Sequence, residues 1–186
     1  PMIASRKLPS GKYSIVLENT VSAKAVSAVI SALNGAALQQ KNSFLLDSLG
    51  KRMFPEQLHI ADNPLLPGRT GSTYYDSEGV ATSQRDIIRD GQVCTYFLNT
   101  YFANKLGMPR TAEDAFAVYF PKNSGIGLED IMQRTGTGVL ITGFNGGNSN
   151  PVTGDFSYGI EGWYFENGRR LYPVKEMNLT GNFLNL

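Results

Sequence analysis

The hydrophobic and polar positions change period along the chain. Tyr13-Ser14-Ile15-Val16-Leu17 is a short, β-branched apolar run and predicts a strand. Asn19 or Thr20 can cap the helix that follows, in which Val26, Val29, Ile30, Leu33 and Ala37 recur at spacings of three and four. Alanines between 23 and 37 favour that helix, and Gly35 weakens its last turn. Residues 41–72 keep no period; Pro55, Pro64 and Pro67 exclude a long helix, and 68–72 reads as a loop.

From Thr73 the pattern is mainly β. Residues 85–98 and 162–174 each read as a hairpin, turning at Asp90-Gly91 and Asn167-Gly168. These dipeptides supply the positive φ angles of a type I′ turn, whose twist matches paired strands. Two short helices lie between the hairpins. Thr100–Leu106 stops at Gly107, with Pro109 beyond, and Leu128–Arg134 stops at Gly136. Val139–Thr142 predicts a strand, residues 143–150 read as turns, and the last strand is predicted over Lys175–Leu179. No linker divides the chain, so residues 1–186 are read as a single lobe. The fold class is α+β: a mainly antiparallel β-sheet with β-hairpins, one longer N-terminal helix and short helices.

Composition narrows the chemistry. The 186 residues hold one histidine and one cysteine. A zinc site takes three or four ligands from Cys, His and acidic side chains, and His59 and Cys94 supply at most two of the softer ones. Lys+Arg is 17 and Asp+Glu 16, with no basic stripe, so nucleic acid is not an expected partner. No apolar run is long enough for a membrane span and no secretory signal opens the chain. The expected location is cytoplasmic, which the single cysteine suits.

Each candidate residue has a plain structural reading. His59, between aliphatics, reads as structural or exposed, and Cys94 as an inert mid-strand residue. Together they define one alternative, a self-contained hydrolase using Cys94 and His59. Asp76-Ser77-Glu78 before Gly79 reads as a turn; it lacks the spaced oxygen ligands of a calcium loop. Gly136-Thr137-Gly138 fits neither phosphate-binding glycine motif. Gly143, Phe144, Asn145, Gly146, Gly147 and Asn148 read as turn residues, with a functional alternative: glycine lets a peptide backbone approach closely.

Several segments, in order, resemble the TldD/PmbA family. They are Phe44–Lys51, Asp76–Val80, Arg85–Gly91, Gly136-Thr137-Gly138, Asn150–Ser157, Glu166-Asn167-Gly168, Tyr172-Pro173-Val174 and Thr180-Gly181-Asn182. The resemblance implies a peptidase assembly of two related subunits, TldD and TldE (also called PmbA), tied to peptide maturation or degradation. The PmbA branch also carries the label of a DNA gyrase modulator. In TldD-like chains zinc is held by a helix bearing His-Glu-x-x-x-His, with two imidazoles on one face and a Glu to activate water. An ungapped count places those positions at Val26, Ser27 and Ser31 here, and no histidine precedes His59.

The resemblance therefore implies a zinc-free, PmbA/TldE-like subunit with no catalytic or metal residue of its own. It would be an enzyme only with a TldD-like partner, which would hold the zinc. It also implies that residues 1–186 are part of a longer chain. Expected partners are a TldD-like subunit or a second copy, and an extended peptide lined by residues 143–148. The remaining alternative is a homodimeric peptide-binding module without proteolysis.

Overall fold

A computed structural model describes residues 5–121 and 125–185. The described residues form two compact units: 5–27, 125–150 and 155–183 belong to the first, and 28–121, 151–154 and 184–185 to the second. The chain passes repeatedly between them, and one crossing falls inside a helix, which is why no linker marks the division. The α+β reading, with mainly antiparallel sheets and a few helices, is what the structure shows.

The first unit is a four-stranded sheet. Strand β1 (Ser14–Leu17) lies parallel to β6 (Thr137–Ser149), which pairs antiparallel with β7 (Asp155–Glu166), and β7 with β8 (Arg169–Asn182). The run Val139-Leu140-Ile141 is buried on both faces of this sheet. Val139 and Ile141 pack with Leu8, Ile160 and Val174 on one side. Leu140 packs with Val16, Phe165 and Met132 on the other. Met132 comes from helix α4 (Leu128–Thr135), whose Glu129 and Asp130 at the start and Arg134 at the end complement the helix dipole. Gly162 is required by close approach: a Cβ there would sit 1.9 Å from the Leu140 carbonyl oxygen.

The second unit holds a small antiparallel sheet. Its order is β4 (Gln92–Val93), β3 (Arg85–Arg89), β2 (Ile60–Asp62) and β5 (Val118–Tyr119). Asp90 and Gly91 take φ of 51° and 74°, as the hairpin reading requires, and Asn167 and Gly168 take 48° and 78° in the other hairpin. Helix α3 (Thr100–Leu106) is capped by Asn99 and ends in left-handed Gly107, as its sequence predicts. The buried Tyr96 hydroxyl accepts from the Ser48 and Leu49 amides and donates to the Leu45 carbonyl, which holds the 45–49 turn.

Five readings are corrected. The N-terminal helix is two helices, α1 (Asn19–Ala32) and α2 (Gly35–Gln39). Asn34 breaks it by capping α2 through its side chain, 3.0 Å from the Ala36 amide. The predicted strand 92–98 pairs only over Gln92–Val93. Beyond it the backbone finds other partners: Phe97 exchanges hydrogen bonds with Leu33 and Gly35, and the Leu98 amide donates to Thr111 Oγ1. Residues 143–149 are strand, not turn, and β7 begins at Asp155, well before the predicted Gly162. The last strand runs without a break from the Asn167-Gly168 turn to Asn182.

Candidate functional site

The glycine-rich candidates Gly143 to Asn148 all lie in β6. On one side β6 pairs with β7 as far as Ser149. On the other, β1 covers only Gly138 to Ile141, and the Glu18 amide makes the last bond, 3.0 Å to the Ile141 carbonyl. Residues 142–149 thus present a strand edge that no strand pairs with among the described residues. The ladder shifts register between Ile141 and Gly143 and again between Phe144 and Gly147. Gly147 serves the second shift with φ of 103°, and a Cβ there would lie 2.1 Å from the Ser157 carbonyl.

Side chains dress this edge lightly. Asn145, Gly146, Gly147 and Asn148 are exposed, and nothing lies within 4 Å of a Cβ built on Gly146. Phe144 is half-buried, edge-on to Tyr158 at 5.4 Å, and the Lys24 ammonium lies over both rings, at 5.1 and 4.4 Å.

The other sequence candidates take structural roles. His59 Nε2 lies 2.7 Å from Asp86 Oδ1, and Asp86 also pairs with Arg89. Among the described residues no hydroxyl or thiol hydrogen-bonds to the His59 ring. Cys94 is exposed rather than buried, and its thiol donates to the Gln92 carbonyl. It lies just past the end of β4, and its amide still donates to the Ile87 carbonyl of β3 at 2.9 Å.

Asp76-Ser77-Glu78 is indeed a turn, and also a clamp. Asp76 Oδ1 accepts from the amides of Glu78 (3.0 Å) and Val80 (2.9 Å), and Oδ2 accepts from Arg110 Nη2. Arg110 Nε donates to Glu78 Oε2 at 2.9 Å, and Nη1 to the Thr111 carbonyl at 3.0 Å. Burial pushes the Asp76 carboxyl up, but the Val80 amide and Arg110 outweigh it and hold the carboxyl below its ordinary value. Hydrogen bonds from Thr100, then Arg110, lower Glu78 likewise. Against its own desolvation, Arg110 is raised by Glu78 and Asp76.

A second arginine, Arg85, has a different fate. Its Nε lies 3.3 Å from Asp62 Oδ2 without hydrogen-bond alignment, and Asp62 is fully buried. Asp62 Oδ1 is spent on the amides of Phe116 (3.1 Å) and Ala117 (2.6 Å). Desolvation lowers the Arg85 pKa, and the charges of Asp62 and Asp76 do not make up the loss. Both arginines line a cavity of about 340 Å³, with Asp76, Ser83, Thr95 and Thr111 among its walls. Sequence reasoning missed Asp62, Arg85 and Arg110, because their partners lie far apart along the chain.

A zinc ion does not fit the donor set. Among the described residues no group of three or more His, Cys, Asp or Glu could hold a metal. Where the family resemblance would put two imidazoles and a glutamate, helix α1 carries Val26, Ser31 and Ser27. Nor is any helix among the described residues long and apolar enough to cross a membrane.

Comparison with known proteins adds the following. A family model described as the PmbA/TldA metallopeptidase C-terminal domain matches residues 10–186. The metalloprotease PmbA of Escherichia coli O157:H7 is 37% identical over 186 residues, 99% of this chain and 41% of the relative. A crystal structure from Bacteroides thetaiotaomicron, of a protein provisionally described as a modulator of DNA gyrase, has a TM-score of 0.94 at 44% identity. It is covered over 42% of its length by 100% of this chain. TldE from Thermococcus kodakarensis shares the fold, with a TM-score of 0.84 at 23% identity over 97% of this chain and 44% of that one. The chain spans about two-fifths of the length of the curated relatives it matches.

Proposed function

Because the chain belongs to the PmbA/TldA metallopeptidase C-terminal domain family, we propose that it is the peptide-holding, zinc-free part of a PmbA/TldE-like subunit. That subunit cleaves peptides only with a zinc-bearing, TldD-like partner, in maturation or degradation in the cytoplasm. The observation that supports the reading most is the open edge of β6 over residues 142–149.

An extended peptide can add to such an edge as one more strand, its main-chain groups bonding to those of β6. Each net hydrogen bond contributes about 1 kcal/mol, so affinity grows with the length paired. Gly143 and Gly146 keep the approach free of side chains, while Asn145 and Asn148 offer amides to either a donor or an acceptor. This suits capture that depends on peptide backbone more than on side-chain sequence. The catalytic zinc would be the partner's, since the donor set here does not suit one.

Cleavage of an unfolded peptide tests the assignment. The chain alone, with zinc, is expected to be inactive, and adding a TldD-like subunit is expected to restore cleavage. Zinc-dependent cleavage by the chain alone overturns it. Recovery from cells only as a homodimer, with no such partner, would instead favour a binding module without proteolysis.

A further inference from the structure

We propose that two charged side chains flanking the open edge of β6 select an extended peptide in which an acidic and a basic residue are neighbours. Lys24 faces the acidic side chain and Glu161 the basic one. The inference deepens the strand-edge reading and rests on it.

β6 brings no charge of its own to residues 142–149, but its neighbours do. Phe144 pairs with Ile160 of β7, on the sheet face where Val139, Ile141 and Val174 pack. There the Lys24 ammonium lies 5.1 Å from the Phe144 ring centroid and 4.4 Å from that of Tyr158. Gly143 pairs with Glu161, the next residue of β7, whose side chain therefore points to the opposite face. The atoms that a Cβ on Gly143 would meet are those of the Glu161 side chain, with its Cβ at 3.6 Å and Oε2 at 3.7 Å. Glycine thus leaves the carboxylate room to stand over the strand edge.

Neither charge is compensated. Lys24 and Glu161 are each partly buried, and among the described residues neither side chain has an ion-pair partner or a hydrogen bond. The two rings hold the ammonium through their π faces and leave its N–H donors for an acceptor. In a strand added beside β6, the residues opposite Gly143 and Phe144 are consecutive and point to opposite faces. One meets Glu161 across the bare Gly143, and the next meets Lys24 beside Phe144. Opposite charges on paired strands attract and like charges repel, so the pair fixes a register that the backbone alone leaves free to slip. The order of the two residues follows strand direction. Antiparallel addition sets the acidic residue before the basic one, and parallel addition the reverse.

The test titrates the full chain, by calorimetry at low salt, with three end-blocked peptides of the form acetyl-Thr-Val-X-X-Val-Thr-amide. X-X is Glu-Lys, Lys-Glu or Gln-Gln. One charged order is expected to bind about fivefold more tightly than Gln-Gln, and the other no more tightly than Gln-Gln. The tighter order identifies the strand direction. In a chain carrying both Lys24→Glu and Glu161→Lys the preferred order is expected to invert. Equal binding of the two orders, or a preference that survives the swap, overturns the inference. If the swapped chain does not fold, checked by thermal melting, Lys24→Gln and Glu161→Gln take its place. Each is expected to reduce the preference about twofold, and an unchanged preference in both overturns the inference. If all three peptides bind alike, the strand-edge reading stands and only the charge selection falls; if none binds, both fall.

Discussion

Strand β8 and the far half of β6 both offer a backbone edge of the same sheet, yet their side chains treat it in opposite ways. β8 carries Arg169, Arg170, Pro173, Lys175 and Glu176. Glu176 takes φ of 56°, where the ladder with β7 loses register, and Arg6 bridges the strand at Pro173 and Lys175. Charge, proline, irregularity and a covering segment are the devices that stop an edge from pairing. The β6 edge over 142–149 has irregularity but neither charge nor proline. A chain that guards one edge with four devices and leaves the other neutral has separated what must not pair from what can. The contrast supports the pairing surface proposed for the glycines of β6, which also serve its bends.

Breaking the shared scaffold has the largest expected effect. Gly162→Ala forces a Cβ against the Leu140 carbonyl and is expected to cost about 3 kcal/mol, read as a lower urea midpoint, with both edges affected. Next comes Gly147→Ala, which meets both a positive φ and the Ser157 carbonyl. It is expected to cost about 1–3 kcal/mol and to abolish peptide binding, while amide exchange in β8 stays unchanged.

Sharper, gentler changes follow. Asn145→Lys with Asn148→Lys guards the open edge as β8 is guarded. Stability is expected to move by less than about 0.5 kcal/mol per site, and binding of a neutral extended peptide to fall about tenfold, measured by calorimetry.

The smallest effect lies in the other unit and concerns acid. The folded Asp76 pKa is lowered, so its stabilising contribution is present above the ordinary value of 3.8 and is lost as pH falls through the depressed one. Amides of Glu78 and Val80 are expected to lose exchange protection in that window, and Asp76→Asn to remove the pH dependence.

Much of the fold was legible where local chemistry dictates it. Asp90-Gly91 and Asn167-Gly168 announce their turns, and Asn99 and Gly107 bound α3 from within its own few residues. Local reading failed where distant groups decide. Glycines at 143, 146 and 147 look like turn residues until β7 supplies a strand to pair with them. Gly159 and Gly162 dilute β7 in the same way, although Phe156, Tyr158 and Ile160 alternate as buried positions. Asn34 ends a helix that the apolar spacing carries on, because Gly35 must sit against Phe102, with a Cβ there 2.6 Å from its Cβ. The six candidates at 143–148 were identifiable by glycine content, but their open edge was not, since it depends on where β1 stops. Arg85 and Arg110 left no signal, as their acids come from other segments.

Hydrogen exchange with a neutral extended peptide tests the central claim most directly. The full chain is compared with and without the peptide, and protection is read residue by residue. The account predicts new protection confined to amides within 142–149, with β8 unchanged. Protection along β8, or binding with no change at 142–149, would contradict it.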